Sequence, residues 1–370
     1  MRQSSISFWR HFDFWLLGAV VLLVIIGITM IRSAVAGNIE LATLNLVQRQ
    51  LIFALIGFVI ILGATAIDYH LWASLSRTLY IGAVALLAIL FIVGAAFYGS
   101  ARWFDTGIIL IQPSEIAKVV LILVLADYFS RNIERIGDLR TILRSFLTTM
   151  GITIWILLQP NLSTSIVLLV IWFAMLFASG LSWKHMLAFG TALIIIPIAA
   201  FPFLVDYQKR RILNFLFPDP TASYGETYNI QQALIAIGSG GWFGQGYGHG
   251  TQVQLRFLKV RWSDFIFSSM AQEFGFVGVV IVLALFIFII IRILRAARAS
   301  RDTYGALICY GVATMLAFQA IVNAGVNLNL MPATGLTFPF ISYGGSSLLS
   351  ALLGIGLAES VIVRHKALEF

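Results

Sequence analysis

Apolar stretches about as long as a membrane is thick recur along the chain and constrain its fold more than any other feature. The first covers residues 14–30 and contains no charged side chain. A helix of about 20 apolar residues crosses the hydrocarbon core of a bilayer. Of the 370 residues, 60% are hydrophobic and only 11% are charged, whereas roughly a quarter are charged in a soluble protein. The sequence predicts an all-α polytopic membrane protein with a single membrane domain over residues 1–370.

Ten transmembrane helices can be drawn through these stretches. Arg32 precedes a small-residue segment, 34–36, that resembles a signal-peptide cleavage site, but the apolar run before it is long for a signal peptide. We therefore expect an uncleaved first span. The ten predicted spans are 14–32, 47–67, 79–99, 113–129, 145–160, 162–180, 185–204, 265–291, 304–325 and 341–363.

Basic residues are unequally divided between the two sides of this topology. With the N-terminus in the cytoplasm, 14 of the 24 lysines and arginines fall on the inner side, so both termini are predicted to be cytoplasmic. A long outer loop, residues 205–263, holds six of the other ten, but Arg49, Arg102 and Lys118 lie outside it. This outer excess suggests an anionic ligand at the outer leaflet. The ten outer residues are Arg32, Arg49, Arg102, Lys118, Lys209, Arg210, Arg211, Arg256, Lys259 and Arg261.

The predicted outer loop at 205–263 is long for a compact protein, and such loops are usually functional. Its glycine-rich segment, 237–251, lacks the Gly-Lys-Ser/Thr of a P-loop and has His249 where a dinucleotide motif needs glycine. Nucleotide binding is therefore excluded, and tight turns or a close backbone approach to a ligand remain. The single cysteine, Cys309, excludes an intramolecular disulfide.

The segment "RWFDTGIILIQPSEIAK", residues 102–118, has the features of a helix start. Pro113 is favoured in a first helical turn, and Glu115 there suits the helix dipole. Glu115 and Lys118 are three residues apart and share a face, so they form either a structural ion pair or part of a ligand site. Arg102 beside Trp103 is either an interfacial anchor or a phosphate contact.

Two carboxylates lie at and inside the start of the eighth predicted span. Asp264 falls at its outer mouth, where it either caps the helix or acts in chemistry. Glu273 lies about 13 Å deeper on the opposite face, so the two are not a close pair. Because charge facing lipid is costly, Glu273 is expected to face the bundle interior, either against a lysine or arginine or in a binding role.

Two polar segments interrupt apolar runs and predict helix breaks. "QPNLSTS", residues 159–165, is either a plain short loop or a break that lines a polar cavity. "NAGVNLNLMPATGLTFPFISYGGSS", residues 323–347, carries two prolines and a Tyr-Gly-Gly-Ser segment between the last two spans. Broken helices at membrane depth commonly line a site.

Taken together, these motifs resemble the SEDS family of bacterial wall-building membrane proteins (shape, elongation, division and sporulation), and the "DYQKRR" segment and short tails look like its RodA members. The resemblance covers nearly the whole chain and rests on "RW…QPSEIAK", "QPNLSTS", "DYQ..R", "IAIGSGG..GQGYG", "SDFIF…A.EFG" and "N.G….MP.TGL..PFISYGGSS". The chain departs from the family at Asn161, where Asp is usual, and at Ser163, Ser263 and Gln272. "LKVRW" also replaces the usual Pro-Glu before the catalytic segment.

The resemblance implies an inverting peptidoglycan glycosyltransferase that polymerises lipid II at the outer face of the bacterial cytoplasmic membrane during cell elongation. It also implies a class B penicillin-binding protein as partner, and no role for nucleic acid. The leaving group would be a lipid pyrophosphate, which is already acidic and needs charge neutralisation rather than an acid catalyst. One general base and a cationic clamp would then suffice.

Asp264 is the candidate base. Arg49, Arg102, Lys118, Arg210 and Arg211 are the candidate clamp, and a divalent cation, Mg²⁺ or Mn²⁺, could assist them. Two other functions remain open: a lipid II flippase, and a non-catalytic scaffold for the penicillin-binding protein. The remaining predicted substrate-binding residues, taken from the same motifs, are Gln112, Ser114, Glu115, Gln208, Glu273 and Ser342.

Overall fold

The computed structural model describes most of the chain, and the described part is helical apart from one pair of two-residue strands. The strands, β1 (Phe104–Asp105) and β2 (Leu110–Ile111), pair antiparallel just before the helix that begins at Pro113. The described residues are 11–36, 44–98, 103–105, 110–183, 185, 187–191, 199, 201–219 and 225–366.

Twelve α-helices are numbered here in chain order within the described ranges. Short 3₁₀ turns at Ile133–Arg135 and Phe201–Phe203 lie between some of them. The α-helices are α1 (Phe14–Val35), α2 (Leu46–Ala66), α3 (Tyr69–Tyr98), α4 (Pro113–Arg131), α5 (Leu139–Leu158), α6 (Leu162–Ala178), α7 (Asp206–Leu216), α8 (Gly225–Gly240), α9 (Thr251–Gln254), α10 (Ile266–Ala299), α11 (Thr303–Asn327) and α12 (Gly345–Lys366).

Seven of these helices are long and apolar enough to cross a membrane: α1, α2, α3, α5, α10, α11 and α12. Helix α6 is apolar but shorter, with 17 residues. Helix α4 occupies the predicted fourth span, but it carries Glu115, Lys118, Asp127 and Arg131 and is largely buried. The prediction of a polytopic helical membrane protein is confirmed. The seventh predicted span, 185–204, lies largely outside the described residues, so the count of ten stays a prediction.

Helices α11 and α12 are the most enclosed of the candidate spans, with α12 packed along α2 and α11 against α4, α6 and α10. Glycines allow this close packing. At Gly356 of α12 an added methyl group would lie 2.9 Å from the Cβ of Ala64 on α2. The chain between α11 and α12 is irregular, yet it buries Phe338 and Phe340 in the core. This buried connection faces the cavity described below.

The predicted long loop, 205–263, is largely structured, because it contains α7, α8 and α9. The segment before α10 is tied to the end of α1, since the buried Arg261 donates from Nε to the carbonyl of Ala34 at 2.7 Å. Arg261 is therefore a structural residue rather than a solvated loop cation.

The glycine-rich segment packs against α10 at a break in that helix. The backbone of α10 leaves the helical conformation at Gly275, where φ is +69°. The N–H groups of Phe276 and Val277 donate instead to the carbonyls of Gly241 and Trp242. A Cβ on Gly275 would lie 2.3 Å from the nitrogen of Gly244. The close backbone approach expected of these glycines is therefore made to a helix of the same chain.

Replacing Gly275 with alanine should destabilise the protein, because alanine is strained at this φ and its methyl group overlaps the facing backbone. Strain and overpacking each cost roughly 1–3 kcal/mol. Thermal unfolding of the purified protein in detergent measures the loss. Gly238→Ala is the control, since a methyl group at this helical position in α8 meets no atom within 4 Å. Equal unfolding temperatures for Gly275→Ala and wild type would contradict this account of the break.

Candidate functional site

A cavity of about 550 Å³ opens where several helices begin, and it gathers residues from most of the predicted motifs. Its walls come from α2, α4, α6, α7, α12 and the segments before α10 and α12. A volume of this size suits a small ligand or part of a larger one. The lining residues are Arg49, Phe53, Trp103, Gln112, Glu115, Asn161, Ser163, Thr164, Arg211, Ser263, Asp264, Thr334, Gly335, Leu336, Thr337, Tyr343, Gly344, Gly345 and Ser347.

Four helices have their N-terminal ends at this cavity. Gln112 is the N-cap of α4, and Asn161 is the N-cap of α6, where its side chain accepts from the N–H of Thr164 at 3.2 Å. Asp264 lies two residues before α10, and α12 starts at Gly345. The N-terminal end of a helix carries partial positive charge. The four ends together favour an anionic group in the cavity.

Asp264 is fixed by its neighbours on both the side chain and the main chain. The Ser263 hydroxyl donates to Oδ1 at 2.9 Å. The side-chain amides of Asn323 and Asn327 donate to the Asp264 carbonyl at 3.1 and 2.9 Å. Asp264 does not cap α10, whose N-cap position is Phe265. Its carboxylate is therefore left facing the cavity.

The surroundings of Asp264 change its acidity. Burial raises the pKa of the Asp264 carboxyl above its ordinary value, while the Ser263 hydroxyl and the positive charge of Arg211 offset part of the rise. A carboxylate with a raised pKa is a better proton acceptor than an exposed one.

Two of the predicted basic residues, Arg49 and Arg211, line the cavity. Arg211, on α7, also pairs through Nε with Glu226 on α8 at 2.8 Å. Arg49, on α2, forms a hydrogen bond with the hydroxyl of Tyr343. The two guanidinium groups thus come from distant parts of the sequence.

The predicted ion pair between Glu115 and Lys118 is confirmed, with Lys118 Nζ 2.7 Å from Glu115 Oε2. Ser350 on α12 donates to the same oxygen at 3.0 Å. Glu115 lines the cavity, whereas Lys118 is fully buried behind it. Lys118 thus contributes positive charge near the cavity without being one of its lining residues.

Ser342 and Ser114 are buried and are not among the lining residues. The Ser342 hydroxyl donates to the Ser263 carbonyl at 2.7 Å and accepts from the N–H of Phe338 at 2.8 Å. It therefore supports the residue that precedes Asp264. A substrate contact by Ser342 or Ser114 stays a prediction.

The predicted residues of α7 separate in the structure. Gln208 accepts from the N–H of Val205 at 3.3 Å and so stabilises the start of α7. Arg210 is exposed, and neither residue is among those that line the cavity. Arg102 lies outside the described residues, although Trp103 beside it lines the cavity.

Glu273 is buried at the break in α10 and is not part of the cavity lining. Within the described chain, its carboxylate accepts hydrogen bonds from the hydroxyl of Ser33 on α1 and from the backbone of Gly248. Uncharged donors therefore take the place of the lysine or arginine partner suggested by the sequence. A substrate-binding role for Glu273 has no support in this placement.

Several lining residues lay inside recognised motifs without being singled out. Tyr343 is one, and the wall formed by residues 334–337 is another. The signal for both was the interrupted helix before α12, which predicted a cavity wall but not which side chains face it. Phe53 had no such signal, because it looks like any apolar residue of a span.

Comparison with known proteins agrees with the motifs. The FtsW, RodA and SpoVE family, described as cell cycle proteins, matches residues 14–367. The chain belongs to this family.

Relatives in other bacteria are similar over nearly their whole length. The peptidoglycan glycosyltransferase MrdB of Escherichia coli K12 is 34% identical, with 98% of this chain and 97% of the relative covered. A probable peptidoglycan glycosyltransferase FtsW of Geobacter sp. strain M18 is also 34% identical, with 96% and 98% covered.

Solved structures share the fold. The rod shape determining protein RodA of Thermus thermophilus is 32% identical and aligns with a TM-score of 0.69, covering 96% of this chain and 97% of that one. A chain from a structure described as the structural coordination of polymerization and crosslinking by a peptidoglycan synthase complex aligns with a TM-score of 0.79. It is 32% identical, with 97% and 99% covered.

Replacing Lys118 with methionine should destabilise the protein strongly, because Glu115 would be left as a buried carboxylate without its cation. Breaking such a pair costs about 3–5 kcal/mol. Thermal unfolding in detergent measures the loss. The double variant Glu115→Gln/Lys118→Met removes both charges and should recover much of the stability. A double variant no more stable than Lys118→Met would show that the ion pair is not the cause.

Proposed function

We propose that this chain is a peptidoglycan glycosyltransferase that polymerises lipid II into glycan strands, with Asp264 as the general base. The observation that carries the proposal is the placement of Asp264, with its raised pKa, in one cavity with Arg49 and Arg211. The names of relatives at 34% identity over nearly the full length support the reaction class.

The residues of the cavity suit the chemistry of this reaction. Asp264 takes the proton from the acceptor sugar hydroxyl as its oxygen bonds to the anomeric carbon of the donor. The bond from that carbon to the pyrophosphate breaks, and the electron pair leaves with the pyrophosphate. In-line displacement of an α-linked pyrophosphate inverts the anomeric carbon and gives a β-linked glycan.

The developing negative charge on the pyrophosphate needs fixed positive charge around it. Arg49 and Arg211 supply two guanidinium groups, which match phosphate oxygens in geometry. The N-terminal ends of α4, α6, α10 and α12 supply partial charges, and Lys118 lies behind Glu115. Roles for Arg102 and Arg210 in this clamp remain predictions.

The described residues do not fit a resident divalent cation. They contain no group of three or more His, Cys, Asp or Glu side chains that could hold one. Of the two carboxylates that line the cavity, Glu115 is bound by Lys118 and Ser350, and Asp264 is needed as the base. No step proposed here passes through Mg²⁺ or Mn²⁺.

We further propose that ten spans cross the cytoplasmic membrane with both termini in the cytoplasm, so that the cavity faces outward, and that the protein acts in cell elongation. The distribution of basic residues supports this orientation. The partner is proposed to be a class B penicillin-binding protein. Support comes from the similar chain in a complex that coordinates polymerization and crosslinking.

Asp264→Asn should abolish glycan polymerisation, because the amide keeps the shape of the side chain but cannot accept the proton. Loss of a general base costs about 10²–10⁴-fold in rate. Purified protein with its penicillin-binding partner and lipid II, assayed for polymer on gels, gives the measurement. The control is Asp206→Asn, an exposed carboxylate at the start of α7.

Wild-type polymer yield from folded Asp264→Asn protein would remove this residue from the mechanism. Transfer of lipid II across sealed vesicles without polymer would support a flippase instead. Partner binding without either activity would support a scaffold.

The pH profile should report the environment of Asp264. The base must be ionised, so kcat/KM falls as the pH drops through the pKa of Asp264, and its raised pKa places this fall above the ordinary range of about 3.9. Arg211→Gln removes a positive charge that lowers this pKa, so the fall should move to higher pH.

Arg210→Gln is the matched control for this profile, since Arg210 is the neighbouring arginine on α7 but is exposed and outside the cavity lining. It should leave the position of the acid limb unchanged. An acid limb that stays in place or moves to lower pH in Arg211→Gln would contradict the assignment of that limb to Asp264.

A further inference from the structure

Asp264 lies in a segment that no regular helix holds. It is two residues before α10, and within the described residues its carboxylate accepts one hydrogen bond, from the Ser263 hydroxyl. A side chain on such a segment keeps its position only if neighbouring groups fix the main chain. A shift of about 1 Å in a reacting group can cost about 10²-fold in rate.

The fixing groups come from the end of α11. Asn327 is fully buried, and its Nδ2 donates at 2.9 Å to the Asp264 carbonyl and at 2.8 Å to the Asn323 carbonyl. Its Oδ1 accepts from the N–H and the hydroxyl of Ser268, at 3.0 and 2.6 Å. One amide thus joins the catalytic segment to the first turn of α10.

Asn323, one turn earlier on α11, is 2% exposed and makes a similar connection. Its Nδ2 donates to the Asp264 carbonyl at 3.1 Å and to the Leu336 carbonyl at 2.7 Å. Leu336 lines the cavity, as does its neighbour Gly335. A methyl group built on Gly335 would lie 3.7 Å from Asp264 Oδ2, so this wall closely faces the carboxylate.

We propose that Asn323 and Asn327 are positioning residues that together set the place of the Asp264 carboxylate in the cavity. Neither is among the residues that line the cavity. They act through a main-chain carbonyl, which accepts from both amides. Two buried amides on one carbonyl also leave that group fully satisfied, which is required because an unpaired polar group at this depth is costly.

Asparagine is the residue that this geometry requires at 327. Aspartate would keep the acceptor for Ser268 but lose the donor to Asp264, and leucine would lose both. The two amides also bond to different second partners, Ser268 and Leu336. Changes at the two positions have two losses in common: a hydrogen bond to the Asp264 carbonyl, and the long contact of 3.5 Å between Asn327 Nδ2 and Asn323 Oδ1.

The test compares Asn327→Leu and Asn323→Leu in the purified complex with its penicillin-binding partner, with polymerisation rates measured against lipid II concentration. This proposal rests on Asp264 being the base. We expect each variant to lower kcat by about 10-fold or more per folded molecule, with KM little changed because Arg49 and Arg211 stay in place. The acid limb of the pH profile should also shift, because Asp264 moves relative to its neighbours.

Two control variants separate positioning from stability. Ser268→Ala removes the hydroxyl bond to Asn327 but leaves both bonds to the Asp264 carbonyl, and it should keep kcat near wild type. Gln319→Leu removes another buried amide, two turns earlier on α11, which is outside the cavity lining. Folded fraction is measured for every variant by size exclusion and thermal unfolding. If a leucine variant does not fold, Asn327→Ser, which retains a smaller hydroxyl donor, takes its place.

Asparagine variants with lower unfolding temperatures but wild-type kcat per folded molecule would overturn the positioning role and leave a structural one. A rise in KM with kcat unchanged would overturn it too. Failure of the proposed function is a separate outcome. In that case Asp264→Asn would remain active, whereas failure of this inference leaves Asp264→Asn inactive and both asparagine variants active.

Discussion

The need to satisfy polar groups inside an apolar bundle governs the structure around the cavity. At membrane depth a backbone group without a partner costs several kcal/mol. Two interruptions of helices in the described part of the chain have specific replacement partners. The carbonyl of Asp264 receives two asparagine amides, and the amides freed by the break at Gly275 donate to the glycine-rich segment. These replacements fix irregular backbone that would otherwise be mobile.

The cost of burying an unpaired charge also explains the different surroundings of the two carboxylates that line the cavity, Glu115 and Asp264. Glu115 is neutralised by Lys118 and held by Ser350, so it adds little negative charge to the cavity. Among the described residues, no cation forms an ion pair with Asp264; burial raises its pKa, and the charge of Arg211 offsets part of the rise. Two carboxylates in one cavity thus have different environments, and this difference assigns a structural role to one and a chemical role to the other.

Much of the site was predictable because its chemistry is local in sequence. The ion pair between Glu115 and Lys118 followed from their spacing, and the helix start at Pro113 followed from the properties of proline. Arg49 and Arg211 were chosen because the positive-inside rule disfavours them on the outer side. The same rule selected Lys118, and the motifs selected Ser342 and Gln208. None of these three residues lines the cavity, because sequence position does not reveal which way a side chain points. Tyr343 was missed for the same reason.

The sequence by itself determined that this chain is a helical membrane protein, since apolar length and the cost of charge in lipid leave few alternatives. It also predicted the breaks at 159–165 and within 323–347, because proline and clustered polar residues disfavour an apolar helix, but the break at Gly275 lies inside a stretch predicted as one span, 265–291. Only the tertiary structure decided that α2, α4, α6, α7 and the segments before α10 and α12 meet around Asp264. Contacts such as that between Asn327 and Asp264 join residues about sixty positions apart. Their formation depends on how whole helices pack, and no local pattern encodes that.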